Sequence, residues 1–293
     1  LCTLRQYGHH LSLIYNGSDF LDNRSIGIFD SGLGGLTTVK RLKELLPGEN
    51  MIFLGDTGRV PYGGRSTQTL IKYAREDIDF FNKFNVKAVI VACNTVSAAA
   101  LNYVINDYDM PIIGVIDAAV NRAVSETKNK KIGVIGTVAT INSGIYIKKI
   151  QAIIPDAQVF TCACPLLVPL VENGRIKKGD IVIETVLKEY LSTFKGTGID
   201  TLILACTHYP LLKDIIEDIM GPDVFLVDSG GVTAEYVFDW MEKNDLFSQS
   251  AQGNIDYFVT DDTESFRSTA SLFLGSDITE NVHQVSLSGK NEA

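Results

Sequence analysis

The chain has 293 residues, enough for about two domains at roughly 150 residues each. With 45% hydrophobic and 21% charged residues it has the composition of a folded globular protein, which excludes a disordered, collagenous or small disulfide-stapled chain. Acidic residues outnumber basic ones, 35 to 26, for a net charge of −9, and no long basic run is present; nucleic acid and anionic membrane are therefore excluded as principal partners.

Residues 1–25 open on Leu1 and hold only a short apolar patch at 11–15. They do not read as a signal peptide and stand as an extension outside the pattern that follows. No apolar run approaches the ~20 residues of a membrane helix. From residue 26 onward short apolar segments alternate with amphipathic ones. Strands are expected at 25–30, 50–55, 86–92, 112–115, 131–136, 158–161, 201–205 and 224–227. Helices are expected at 36–46, 67–84, 96–106, 118–125, 144–154, 179–194 and 211–220, with another at 232–242. A strand at 255–260 and a helix near 265–274 follow, and the polar residues 276–293 read as a frayed tail. Several strands are almost entirely Val, Ile, Leu and Ala, the pattern of strands covered on both faces. The alternation predicts α/β architecture, with mostly parallel sheets flanked by helices and ligands bound beyond the strands' carboxyl ends.

The chain also resembles itself at a separation of about 110 residues. IGIFDSG at 26–32 is matched by IGVIGTV at 132–138, VKAVIVACNT at 86–95 by IDTLILACTH at 199–208, and, loosely, PIIGVID at 111–117 by VFLVDSG at 224–230. Two pseudo-symmetric lobes follow, the first 26–117 plus 229–275 and the second 118–228, with the active site in the cleft between them.

The sharpest repeat places Cys93 and Cys206 at the ends of matched strands, each before a helix start. A helix N-terminus favours the thiolate, so both thiols are expected to ionise readily. Two matched thiols facing one cleft suit a two-base racemase or epimerase: one takes a proton from carbon and the other delivers a proton to the opposite face. A disulfide or thiol relay is the competing use, though such pairs usually lie close in sequence. The cysteine count is odd (Cys2, Cys93, Cys162, Cys164, Cys206) and no export signal is evident, so free thiols in a reducing cytoplasm are expected. Cys162 and Cys164 read as two small buried residues rather than a metal site.

Around the two thiols, Asn94, Thr95, Thr207 and His208 can cap helices or bind carboxylates. Asp30 and Ser31 end the first strand, and the following Leu33-Gly34-Gly35-Leu36-Thr37 breaks the dinucleotide fingerprint, which excludes a nicotinamide cofactor. Pro61-Tyr62-Gly63-Gly64 reads as a turn on the same rim. Asp56, Thr137, Thr140 and Glu172 fall in loops near strand ends.

IGIFDSGLGGLT, GDTGRVPYGGRS, ACNTVSA and ACTHYPLL, in this order and spacing, resemble the glutamate racemases of the cofactor-independent aspartate/glutamate racemase superfamily. The resemblance covers about 26–275 and implies glutamate as substrate, a role in making D-glutamate for peptidoglycan, and neither pyridoxal phosphate nor metal. It makes Cys93 and Cys206 the catalytic thiols, Cys93 acting on the D isomer and Cys206 on the L isomer, with Asp30 and His208 assisting. It makes Asp30, Ser31, Tyr62, Gly63, Asn94, Thr95, Thr140, Thr207 and His208 substrate contacts, with Asp56 and Glu172 as accessory positions. Homodimers are common in the family. Two alternatives stand beside this reading: a racemase for aspartate or another amino acid, and a two-lobed dicarboxylate-binding protein without catalysis.

Overall fold

In a computed structural model describing residues 22–278 and 281–287, the chain forms two all-parallel sheets. The readings made for residues 1–21, Cys2 among them, and for 279–280 and 288–293 fall outside the described residues.

The first sheet contains β1 (Ile26–Asp30), β2 (Met51–Gly55), β3 (Ala88–Val91) and β4 (Ile112–Gly114), connected by α1 (Leu36–Leu45), α2 (Thr67–Phe81) and α3 (Asn94–Ala99). Helix α4 (Ile116–Glu126) leads to the second sheet. There β5 (Lys131–Gly136), β6 (Gln158–Ala163), β7 (Thr201–Ala205) and β8 (Phe225–Asp228) alternate with α5 (Val138–Asn142), α6 (Ile145–Ile153), α7 (Leu167–Glu172), α8 (Ile181–Leu191) and α9 (Lys213–Met220). Helix α10 (Ser229–Lys243) then packs against both α1 and α4, and the chain returns to the first sheet through β9 (Ile255–Val259), α11 (Thr263–Leu274) and β10 (Val282–Gln284).

The strand orders are β10-β9-β2-β1-β3-β4 and β6-β5-β7-β8. The stretch β2-β1-β3-β4 repeats as β6-β5-β7-β8, so β3 and β7 hold equivalent places beside the central strands β1 and β5. These strands form because their residues are apolar on both faces. In β1, Ile26 and Ile28 face one core with α1, while Phe29 faces the other with α2. The Ile26–Ile28 core runs on through α10 into the second sheet, where it takes in Leu202 and Leu204.

The structure differs from the sequence reading in four places. The tail expected to fray carries β10, which pairs with β9 in parallel; His283 stacks on Phe258 with ring centroids 5.0 Å apart, and Val285 and Leu287 pack on the core. Three residues are too few to show a period. The helix expected at 96–106 stops at Ala99 and continues as 3-10 turns at Leu101–Tyr103 and Ile105–Asp107. Leu101 and Val104 stay buried at a spacing of three, the 3-10 repeat. Helices α5 and α7 were expected as loop. In α7, Pro169 stands in the first turn, where its missing N–H costs no helical hydrogen bond.

Candidate active site

The carboxyl ends of both sheets meet around a cavity of about 390 Å³, a size suited to a small ligand. The first sheet contributes Ser31 and Gly32 after β1, Val60–Gly64 after β2, and Cys93, Asn94 and Thr95 after β3. The second contributes Thr137 and Val138 after β5, Cys164, Pro165, Val168, Pro169 and Glu172 around α7, and Cys206, Thr207 and His208 after β7. Cys93 and Cys206 thus enter one cavity from equivalent strands of the two sheets.

Close approach of the two sheets depends on glycine at two points. A Cβ on Gly34 would fall 2.1 Å from Thr207 Oγ1 and 2.5 Å from His208 Nδ1. A Cβ on Gly63 would fall 2.9 Å from Thr137 Cβ, and the Gly63 carbonyl accepts the Ala139 N–H at 3.0 Å. Hydroxyl contacts complete the seam: Thr95 and Thr137 lie 2.9 Å apart, and Thr207 donates to Asp30 Oδ1 at 3.4 Å.

Around Cys93 the thiol donates to Ser31 Oγ at 3.5 Å. Burial first, then the negative charge of Asp30, push this thiol up to about 12. The sequence reading expects a helix start to lower it; the short α3 does not compensate for removal from water. Asp30 is fully buried behind the cavity rather than in its wall: Oδ2 accepts the Gly32 N–H at 3.1 Å, and burial raises its carboxyl.

Around Cys206, His208 Nδ1 lies 3.9 Å from Sγ and Nε2 lies 3.0 Å from Glu172 Oε1. Burial works against the imidazolium, but hydrogen bonds to Cys206 and Glu172 outweigh it and raise His208 to about 10. A protonated imidazole therefore links Cys206 to Glu172. Glu172 ends α7 instead of lying in a loop, and the segment after Cys206 is a 3-10 turn, Tyr209–Leu212, before α9 begins.

Of the residues singled out in the sequence, Ser31, Tyr62, Gly63, Cys93, Asn94, Thr95, Glu172, Cys206, Thr207 and His208 line the cavity. Asp30, Asp56 and Thr140 do not. Thr140 stands behind Thr137, with hydroxyls 3.0 Å apart, and Thr137 faces the cavity in its place. Asp56 is buried among Arg59, Tyr62 and Thr260. Sequence reading did not find Tyr146 and Ser229. The Tyr146 hydroxyl donates to Asn94 Oδ1 at 2.7 Å, Asn94 Nδ2 donates to Ser229 Oγ at 2.9 Å, and Ser229 donates to the Leu204 carbonyl at 3.0 Å. This chain fixes the Asn94 amide and leaves it one N–H for a ligand. Both residues lie far from Asn94 in sequence, so no local pattern could have marked them. Cys164, read as simply buried, also forms part of the wall. The lining contains no Lys or Arg among the described residues, so a carboxylate would be met by hydroxyl, amide and backbone N–H donors.

A family model for Asp/Glu/hydantoin racemases matches residues 57–237. A glutamate racemase of Thermoanaerobacter pseudethanolicus is 45% identical over 91% of this chain and 99% of its own. The chain belongs to the Asp/Glu/hydantoin racemase family. Within that family it is also 43% identical to a glutamate racemase of Geobacter metallireducens over 92% of this chain and 99% of that one. Among solved structures, a glutamate racemase isoform of Bacillus anthracis superposes with a TM-score of 0.87 at 36% identity, covering 91% of this chain and 98% of that one. The Francisella tularensis glutamate racemase in complex with D-glutamate superposes at 0.85 with 39% identity, covering 91% and 99%. An aspartate racemase of Picrophilus torridus, 18% identical with a TM-score of 0.54, shares the fold. As an amino-acid racemase fold this architecture is the one read from the alternating strands and helices: two parallel sheets flanked by helices, with a cavity at their facing ends.

Proposed function

We propose that this chain interconverts L- and D-glutamate by direct proton transfer at Cα between Cys93 and Cys206. The observation that carries the reading is that two thiols, ending equivalent strands of the two sheets, line one cavity. In the L-to-D direction the Cys206 thiolate takes the Cα proton, and the Cys93 thiol gives its own proton to the opposite face; the reverse direction exchanges the roles. The Cα–H is a very weak acid, so the carbanion-like transition state needs donors around the α-carboxylate. Ser31, Asn94, Thr95, Thr137 and Thr207 supply them in a cavity walled by Val60, Pro61, Val168 and Pro169. Asp30 assists Cys93, and His208, held by Glu172, assists Cys206.

The lobe division at 26–117 with 229–275 and at 118–228 is supported by the pairing of β9 with β2 in the first sheet. The reading makes the chain a cytoplasmic supplier of D-glutamate for peptidoglycan; among the described residues no helix is long and apolar enough to cross a membrane. A direct test incubates the protein with L-glutamate and with L-aspartate in deuterated water. D-glutamate carrying deuterium at Cα supports the proposal. Turnover of aspartate alone would reassign the substrate, and glutamate that binds without exchanging its α-proton would make the chain a binding protein.

A further inference from the structure

Behind the cavity wall, on the far side of the Pro61–Gly64 turn, lies a buried cluster of charge that the proton transfer does not use. Arg59 donates Nε to Asp56 Oδ2, Nη2 to Asp77 Oδ1 at 3.0 Å, and Nη1 to Glu76. Asp56 and Asp77 are both fully buried. The Tyr62 hydroxyl sits between them, donating to Asp56 Oδ2 and lying 3.2 Å from Asp77 Oδ2. From the neighbouring elements, Thr260 donates to Asp56 Oδ1 at 2.8 Å, Lys72 reaches Glu76 at 3.9 Å from the solvent side, and the Tyr73 ring lies 4.1 Å from the Arg59 guanidinium carbon.

Hydrogen-bond valence decides where a proton sits. A phenol has one hydrogen, and Asp56 takes it. Tyr62 Oη and Asp77 Oδ2 are then both acceptors in contact, which is favourable only when one of them carries a further hydrogen, and that must be the carboxyl. The charge balance agrees. Arg59 pairs with Asp56 and Asp77, both fully buried, as well as with Glu76, which Lys72 also meets from solvent; one guanidinium shared between two buried carboxylates cannot neutralise both, so one of them is accommodated as the neutral acid. Burial first, then the Asp56 charge, also push the Asp77 carboxyl well above the usual range.

The geometry points to Asp77 as a positioning residue that, as a neutral acid, holds Tyr62 and with it the substrate-facing Pro61–Gly64 turn. The chain of donors runs Asp77 carboxyl to Tyr62 hydroxyl to Asp56 carboxylate. It fixes a turn whose four residues all line the cavity and whose Gly63 carbonyl bonds the second sheet through Ala139 N–H. Asp77 touches no substrate; it acts on binding, through Tyr62. The inference rests on the racemase reading only for its kinetic readout.

The test compares Asp77→Asn, which keeps one acceptor for Arg59 and one donor for Tyr62, with Asp77→Leu and Tyr62→Phe. Asp77→Asn should hold KM and kcat for L-glutamate within about threefold of the parent, whereas Asp77→Leu and Tyr62→Phe should raise KM about tenfold at nearly unchanged kcat. Infrared difference spectra of parent against Asp77→Asn, taken without substrate, should show a protonated-carboxyl stretch in the parent at neutral pH. An Asn variant as impaired as the Leu variant, or a spectrum without that band, overturns the assignment. If the parent racemises no glutamate, the functional reading fails while the spectrum still decides the proton.

Discussion

Thr95, in the first turn of α3, and Thr137, the N-cap of α5, place their hydroxyls 2.9 Å apart across the seam between the two sheets. Thr137 has a second duty, capping α5 by accepting the Thr140 N–H at 3.3 Å. Thr137→Val keeps the shape and removes these two bonds together with the 3.0 Å contact to the Thr140 hydroxyl. Loss of the cap alone costs about 1 kcal/mol, so the melting temperature should fall by about 2–4 °C. Because the same hydroxyl faces the cavity, KM for glutamate should rise as well. Calorimetry and steady-state kinetics on one preparation check the two effects together.

The described thiols should differ in reactivity opposite to what their roles suggest. Cys162 is half-buried, and the hydrogen bond from Cys164 Sγ at 4.0 Å, with that from Thr193, lowers it to about 6. Cys93, buried beside Asp30, is raised to about 12. At neutral pH in the absence of substrate, iodoacetamide should therefore label Cys162 well before Cys93. Peptide mass spectrometry over a time course reads the order directly; faster labelling of Cys93 would mean that its surroundings favour the thiolate.

His208 links stability to pH with a defined sign. Its pKa is raised from 6.5 to about 10 in the folded chain, so its contribution is fully present below about pH 6.5 and is lost as pH rises through 10. Cys93, raised from 9.0, adds its own loss only above about pH 9. Cys162, lowered from 9.0 to about 6, works in the opposite sense over part of this range, so the His208 contribution is read as a difference: as pH rises from about 6.5 to 10 the parent's urea midpoint should fall relative to that of His208→Asn. An unchanged slope in the variant would place the titration elsewhere.

Much of this architecture is legible in the sequence because its strands are covered on both faces. Runs such as Ala88–Val91 and 202–205 are wholly apolar and buried, so strand and repeat stand out together. β10 is not legible, since a half-exposed Val282 with His283 and Gln284 has no apolar signature. The motifs identified Cys93, Asn94, Thr95, Cys206, Thr207 and His208 as one cluster, because each pair or triplet follows a strand end directly. Tyr146, Ser229 and Asp77 act through contacts between residues distant in sequence, and each reads locally as an ordinary helical residue. The expected low pKa of Cys93 failed because burial, which a linear sequence does not display, outweighs the helix terminus.

The claim on which the account turns is that both thiols are needed at one carbon. Cys93→Ala and Cys206→Ala, each assayed by nuclear magnetic resonance for loss of the glutamate α-proton in deuterated water and by optical activity for conversion, test it most directly. The account predicts that each single variant loses racemisation by about a hundredfold or more. A single variant that interconverts the isomers at the parent's rate would contradict it.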